Sequence, residues 1–273
     1  MSQLKKIAYL GEPFSYHYLA ANSFFGELNS FTGFESFESI IKSIVENENE
    51  FGVLAVNNSI AGDIPGNFNR IAESGLTICG EISLKIQLHL AASLKSTLER
   101  IEKVYSHPMV WKETTIFFNK FPHMQFEPVI STATGINFVA QSNDPVIAAI
   151  GSKTAILFHN LQIIASNIDD HPNNYTRFLI ITNQKNKGET TSAELKSSLL
   201  LHPIKPKSDK IRLEDLTGEI ILFKRELENG NVYIEIHSSE LSQFNNIMRE
   251  IARETLQIKV LGSYPPGKTE LSL

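Results

Sequence analysis

The sequence predicts an α/β fold in two lobes with a central cleft, followed by a small α+β unit. Three observations predict it. Short apolar runs alternate with helix-period stretches across residues 1–183, the pattern of strands and helices packed in layers with largely parallel sheets. A polar, unpatterned run from Asn183 to Ser192 then reads as a linker, assigned to residues 184–196. Beyond it, Asn229–Gly230 sits between two alternating segments as a hairpin turn.

In order along the first region, strands are expected at Ile7–Leu10, Phe51–Val56, Thr77–Ala91, Lys103–Tyr105, Val146–Ile150, Gln162–Asn167 and Thr176–Thr182. Helices are expected at Tyr16–Phe25, Phe37–Glu46, Ile64–Glu73, Pro108–Asn119, Ala133–Gln141 and Lys153–His159. Thr77–Ala91 is long enough to be one strand crossing between the lobes. Open α/β sheets bind ligands where strand ends meet at a crevice. The second unit, residues 197–265, reads as strand Ser197–Ile204, hairpin Glu219–Ser238, helix Leu241–Thr255 and strand Gln257–Tyr264, leaving 266–273 as a tail.

Composition narrows the function classes. The chain has 273 residues, 42% apolar and 20% charged, ordinary for a soluble globular protein with a sizeable core. No apolar run nears the roughly 20 residues of a membrane span. Met1–Lys6 leads straight into the first strand, so neither an export signal nor a membrane partner is expected. Cys79 is the single cysteine, which excludes an internal disulfide and a cysteine-built metal cage and makes a cytoplasmic location the expectation. Residues 1–183 carry 12 Lys and Arg against 17 Asp and Glu, whereas 184–273 carry 13 of each. That is no footprint for nucleic acid. An anion bound by the first region must meet a few aimed donors and helix N-termini.

Four polar segments lie at strand ends: Gly11–His17, Asn57–Ile64, Tyr105–Pro108 and Asn173–Phe178. Taken singly, each reads as well as helix capping, by Ser59, Asp63 or Ser106. Together they are specific. Asn58-Ser59-x-x-Gly62, then Tyr105-Ser106-His107-Pro108, then Asn173-Asn174-x-Thr176-Arg177-Phe178 resembles the prephenate dehydratase family in order and spacing over nearly all of residues 5–183. Gly80–Ile82, Ser131–Ala133 and Ala148–Lys153 look like further landmarks of that family. Lys259–Pro265 resembles the close of the ACT regulatory domain that usually follows.

The resemblance implies periplasmic-binding-protein-like lobes and conversion of prephenate to phenylpyruvate, with loss of carbon dioxide and water, in phenylalanine biosynthesis. It implies no metal and no organic cofactor. Homodimers or homotetramers through the C-terminal domain are implied as well. Thr176 matches the threonine taken to serve the leaving hydroxyl; as a weak acid it is better read as a hydrogen-bond donor. Arg177 has the planar fork that grips a carboxylate, with a structural pair to Asp169 or Asp170 as the other reading. Asn58 and Ser106 match substrate-pocket positions, and Ser59 and Thr132 are further pocket candidates. His107 could steer charge or be structural.

The sequence also departs from the family. Phe14 stands where a glycine is usual, His17 where serine is usual, Asn57 where glutamate is usual, and Glu113 where glutamine is common. A carboxylate near a substrate carboxylate must be protonated, paired or turned away. One expectation joins two departures: the acid lost at Asn57 is balanced by the acid gained at Glu113. The second unit lacks the Gly-Ala-Leu and Glu-Ser-Arg-Pro segments of the family's phenylalanine site, and Lys205–Leu216 is short for the usual helix. No effector site is expected. Two other readings fit the same residues. One is an arogenate dehydratase or a non-dehydrating prephenate decarboxylase. The other is a silent two-lobed binding or sensing protein for an aromatic-pathway acid.

Overall fold

A computed structural model describes residues 4–184, 195–203, 221–238 and 241–271. The chain opens with β1 (Lys6–Leu10), α1 (Tyr16–Phe25), β2 (Ser30–Phe34), α2 (Phe37–Val45), β3 (Phe51–Asn58), β4 (Gly62–Asp63), α3 (Asn67–Ser74) and β5 (Thr77–Lys85). It crosses to a second sheet for β6 (His89–Ala92) and β7 (Lys103–Ser106), then α4 (Pro108–Lys112), α5 (Thr115–Phe118) and β8 (Gln125–Pro128). There it adds α6 (Thr132–Ser142), β9 (Ile147–Gly151), α7 (Lys153–Phe158) and β10 (Gln162–Ala165). Strand β11 (Tyr175–Thr182) returns to the first sheet between β3 and β5. The C-terminal unit has β12 (Leu195–Pro203), β13 (Ile221–Glu226), β14 (Val232–Ser238), α8 (Leu241–Glu254) and β15 (Thr255–Tyr264). Finally β16 (Lys268–Leu271) lies beside β5.

The sheets run β16-β5-β11-β3-β1-β2 with β4 on β3, β10-β6-β9-β7-β8, and β13-β14-β12-β15. The first two are mixed rather than largely parallel, and the third is wholly antiparallel. In the first sheet β11 is antiparallel to both neighbours, and in the second β6 is antiparallel to both of its own. The reason is the crossing: a chain that leaves one sheet and comes back inserts its return strand in the reverse direction.

Local chemistry sets the helix starts. Ser15, Ser131 and Ser152 each accept from the backbone N–H three residues on, and Ser36 forms a reciprocal capping box with Ser39. Strand β9 is buried along its whole length, as a strand covered on both faces must be. The first sheet is likewise covered twice. Helix α1 packs over Tyr9, Val53, Ala55, Phe178 and Ile180. On the other face α2, α3 and the C-terminal sheet share a core of Ile40, Phe68, Leu179, Leu200, Tyr233 and Tyr264. Gly262 makes that second contact possible, since any Cβ there would overlap the Ile78 carbonyl.

Several expected elements change. The run Thr77–Ala91 does cross between sheets, but as two strands broken at Ile86–Leu88, where the backbone turns to Asn174 and Asp169 for hydrogen bonds (2.8 and 3.2 Å). Pro108–Asn119 is two short helices, interrupted at Glu113–Thr114. Residues 266–273 are not merely a tail, because β16 extends the first sheet. Strand β12 begins at Leu195, inside the expected linker; residues 185–194 and the stretch Lys205–Leu216 lie outside the described residues. The hairpin turn falls at Asn229–Gly230 as expected, with Gly230 at φ 80°.

His17, on α1, is packed against Phe178 and Phe37 (ring centroids 5.2 and 5.6 Å), and its Nε2 has no partner among the described residues. Burial lowers its pKa to about 4. Unfolded histidine titrates near 6.5, so the unfolded chain binds the extra proton between those values and stability falls as pH drops from about 6.5 to 4. The loss is expected to be roughly 3 kcal/mol greater than in His17→Leu, measured by urea unfolding at pH 7 and pH 4.

Candidate active site

The two crossings between sheets, residues 86–88 and 166–174, run side by side, and the polar segments gather around the second of them. Thr176 and Asn58 are directly opposed across the antiparallel pair β11–β3, so their side chains share one face of the sheet. Asn58 lies at the end of β3, where its Oδ1 accepts from Ile60 N and Ala61 N (2.9 and 2.8 Å). Backbone N–H groups only donate, so this turn fixes which end of the amide is oxygen. Its Nδ2 then donates to Asn174 Oδ1 at 2.7 Å and to Thr176 Oγ1 at 3.0 Å.

Asn174 is fully buried and passes the chain on, its Nδ2 donating to Glu113 Oε2 at 3.1 Å. Glu113 reaches it because α4 stops there, and the Glu113 carbonyl also accepts from Asp170 N at 2.7 Å. Burial raises the Glu113 pKa; the Asn174 hydrogen bond opposes this, and Asp169 adds to it. The result is a continuous sequence, Glu113–Asn174–Asn58–Thr176, in which Thr176 accepts and, among the described residues, its own O–H remains to donate. A hydroxyl that accepts a hydrogen bond becomes a better donor.

The remaining candidates divide. Ser106 ends β7, is completely buried, and its hydroxyl has no partner among the described residues. Helix α4 joins it to Glu113. His107, not Ser106, caps that helix: its Nδ1 accepts from Met109 N at 3.1 Å, which requires a neutral ring, and burial lowers its pKa. Ser59 is spent on the backbone, donating to Asn173 O at 3.0 Å and accepting from Tyr175 N at 2.9 Å, and so staples β3 to the second crossing. Thr132 is the first residue of α6, behind its cap Ser131.

Arg177 requires a correction. It follows Thr176 on a strand, so it points to the opposite face. There Nε donates to Glu81 Oε2 at 2.8 Å and Nη2 to Glu235 Oε1 at 2.5 Å. Burial alone would lower its pKa; Glu235 and Glu81 more than reverse that and hold it up. Its fork is occupied by protein carboxylates, and neither Asp169 nor Asp170 is among them. Asn58 also changes task, since both of its N–H bonds are committed and neither is left for a substrate carboxylate. The expected balance of Asn57 against Glu113 is removed as well. Asn57 faces the Arg177 side of the sheet, donating to Asp63 Oδ1 at 2.7 Å, while Glu113 belongs to the Thr176 side.

Phe14, where a glycine is usual, has φ 64°, the left-handed region that glycine enters freely. Its ring stacks on Phe158 at 4.0 Å, and Thr134 Oγ1 donates to Glu12 Oε1 at 3.3 Å, so the first loop touches the second sheet's helices twice. Sequence reasoning quoted Asn174 within the third motif but gave it no role, because its burial and its partners are invisible without the crossing.

The family model described as prephenate dehydratase matches residues 7–186. The chain belongs to the prephenate dehydratase family. Among curated proteins it is 28% identical over 273 residues to the bifunctional chorismate mutase/prephenate dehydratase of Enterobacter agglomerans, covering 95% of this chain and 70% of that one. Among solved structures it is similar to the prephenate dehydratase of Arthrobacter aurescens in complex with L-Phe, with TM-score 0.80, 18% identity, and coverage of 94% and 89%. It is equally similar to GqqA, described as a novel type of quorum quenching acylase, with TM-score 0.81, 22% identity, and coverage of 95% and 97%. At these identities the two structural likenesses concern fold. No described helix is long and apolar enough to cross a membrane.

Proposed function

We propose that the chain converts prephenate to phenylpyruvate, releasing carbon dioxide and water. The observation that carries this reading is the hydrogen bond from Asn58 Nδ2 into Thr176 Oγ1 at 3.0 Å, which leaves the threonine hydrogen for the departing hydroxyl. Prephenate is a cyclohexadienol with two carboxylates. As its ring C–CO₂⁻ bond breaks, that electron pair enters the ring and the C–OH bond opposite gives way, so the ring becomes aromatic. The developing charge is on the leaving oxygen. One preorganised donor there is typically worth about 10²–10³ in rate. Thr176 supplies it, and a proton from solvent completes the water. Ser106, buried with a hydroxyl that has no partner among the described residues, is the donor proposed for a substrate carboxylate, and Thr132, the first residue of α6, is a further candidate.

Turnover of prephenate by the purified chain, with the product identified, tests this. Phenylpyruvate supports it. A non-aromatic dihydro acid, phenylalanine formed from arogenate alone, or binding without product would each replace it. The same reading makes residues 1–183 the catalytic region of a cytoplasmic enzyme. It makes the C-terminal unit a divergent ACT-like domain that pairs copies of the chain into dimers or tetramers and lacks a phenylalanine site. The four-stranded sheet with its one described helix, and Lys259–Pro265, support that assignment.

Glu113 predicts a pH dependence. Two unit charges about 4 Å apart at an effective dielectric of 20 repel by about 4 kcal/mol. A dianionic substrate is therefore held more tightly while Glu113 is protonated, and its raised pKa widens that range. KM is expected to rise about 10-fold or more as pH increases through the Glu113 titration, and to stay flat in Glu113→Gln. Steady-state KM across pH, for both proteins, checks it.

A further inference from the structure

Behind Thr176, on the other face of β11, four charged side chains meet in a buried cluster. Glu81 on β5 and Arg177 on β11 come from the first sheet; Lys196 on β12 and Glu235 on β14 come from the C-terminal sheet. Lys196 Nζ lies 2.9 Å from Glu81 Oε2 and 2.8 Å from Glu235 Oε2, and Arg177 Nη2 lies 2.6 Å from Glu81 Oε2 and 2.5 Å from Glu235 Oε1. Two acids and two bases balance. Neutral groups add hydrogen bonds: Tyr233 Oη donates to Glu235 Oε1 at 2.7 Å, and Gly267 N donates to Glu81 Oε1 at 3.1 Å. Ser198 Oγ links the Tyr233 and Tyr264 hydroxyls at 2.8 and 2.7 Å.

A cluster of this kind is a weak net stabiliser, because desolvating the charges offsets most of their attraction. What it does well is fix geometry, and its place in the ladder is telling. The pairing of β11 with β3 slips between Arg177 and Phe178, so that Arg177 faces Asn57 while Phe178 faces Ala55. A bulge leaves backbone locally without its regular ladder bonds. Here the extra residue is Val56 on β3, so β11 loses its regular register with β3 beside Thr176 and keeps it with β5, and the C-terminal sheet grips β11 at Arg177, one residue from Thr176.

We propose that Glu235, which holds Arg177, and Lys196, which holds Glu235 and Glu81 in place, are positioning residues for Thr176, making the C-terminal sheet a working part of the catalytic strand. This rests on the reading of Thr176 given above. The guanidinium anchors β11 from behind, opposite the bulge in β3, and the threonine hydroxyl stays within reach of Asn58 on the front. None of the four charges touches substrate.

The test is a cycle of full-length variants assayed for phenylpyruvate formation. Lys196→Met/Glu235→Gln removes the C-terminal half of the cluster and leaves the pair Glu81–Arg177 balanced. It is expected to lower kcat about 10-fold with KM within about twofold, and to have less than a twofold effect on the residual kcat of Thr176→Ala, since the path through the hydroxyl is already gone. An unchanged kcat, or the same proportional loss in both backgrounds, overturns the proposal by making the cluster structural glue only. If the double variant does not fold, Tyr233→Phe, which removes one neutral hydrogen bond to Glu235, carries the test. A kcat about threefold lower supports the proposal, and an unaltered one overturns it. A wild-type chain that forms no phenylpyruvate removes the catalytic reading first, and this proposal with it.

Discussion

Thr176→Ala is expected to lower kcat for aromatic product by about 10²–10³, the value of one preorganised donor to an oxygen that gains charge. KM should change little, because the hydroxyl serves the transition state more than the bound substrate. The structure adds a discrimination among replacements. Asn58 Nδ2 donates to Thr176 Oγ1 and has no freedom to turn, its oxygen being held by Ile60 and Ala61. Valine would leave that donor unpaired in a confined site, at a cost of about 1–3 kcal/mol in stability. Serine keeps both the acceptor and the donor. Activity should therefore rank threonine, serine, then alanine and valine far below, with valine the least stable. Steady-state kinetics and urea unfolding on the four proteins measure both orders, and a valine variant with more than a tenth of wild-type kcat would overturn the role.

The second large effect concerns stability. Arg177→Met leaves Glu81 and Glu235 with Lys196 as their one counter-charge among the described residues, in surroundings where Glu235 is fully buried and Glu81 is 9% exposed. Breaking a buried pair from one side typically costs about 3–5 kcal/mol, since the orphaned charge stays in the interior. Adding Glu235→Gln to Arg177→Met restores neutrality and is expected to recover a large part of the loss. The recovery should be clearest above the carboxylate range, where Glu81, held low by Arg177 and Lys196 against the effect of burial, is ionised. Chemical denaturation of the single and double variants gives the numbers. An Arg177→Met protein as stable as wild type would show that the cluster relaxes or takes in water.

Much of this was legible in the sequence. Helix α1 was expected at Tyr16–Phe25 and is found there, because Ser15 caps one end and Gly26 releases the other. Strands with buried runs, such as β3 and β9, announced themselves. Four described strands were missed, β2 (SFTGF), the two-residue β4, β8 (QFEP) and β16 (KTEL); β2 has exposed residues at alternating and adjacent positions, and β16 reads as polar tail. All four lie at or near sheet edges, where the ladder rather than the core defines a strand. In the site, Thr176, Asn58, Ser106 and Glu113 were each picked out by motif position. Their division of labour was not, because it depends on which face of β11 each neighbour sees. The partners of Arg177 come from residues 81 and 235, and no local pattern joins them.

Strand β16 has a consequence for how the molecule comes into being. Gly267 and Glu81, which meet at its start, are 186 positions apart. The first sheet thus waits for residues 268–271 to be synthesised before its β5 border is closed, and pairings of such long separation are the slow ones to form. A ribosome-bound nascent chain halted before residue 260 would present β5 as an open border, ready to take up whatever extended segment arrives first.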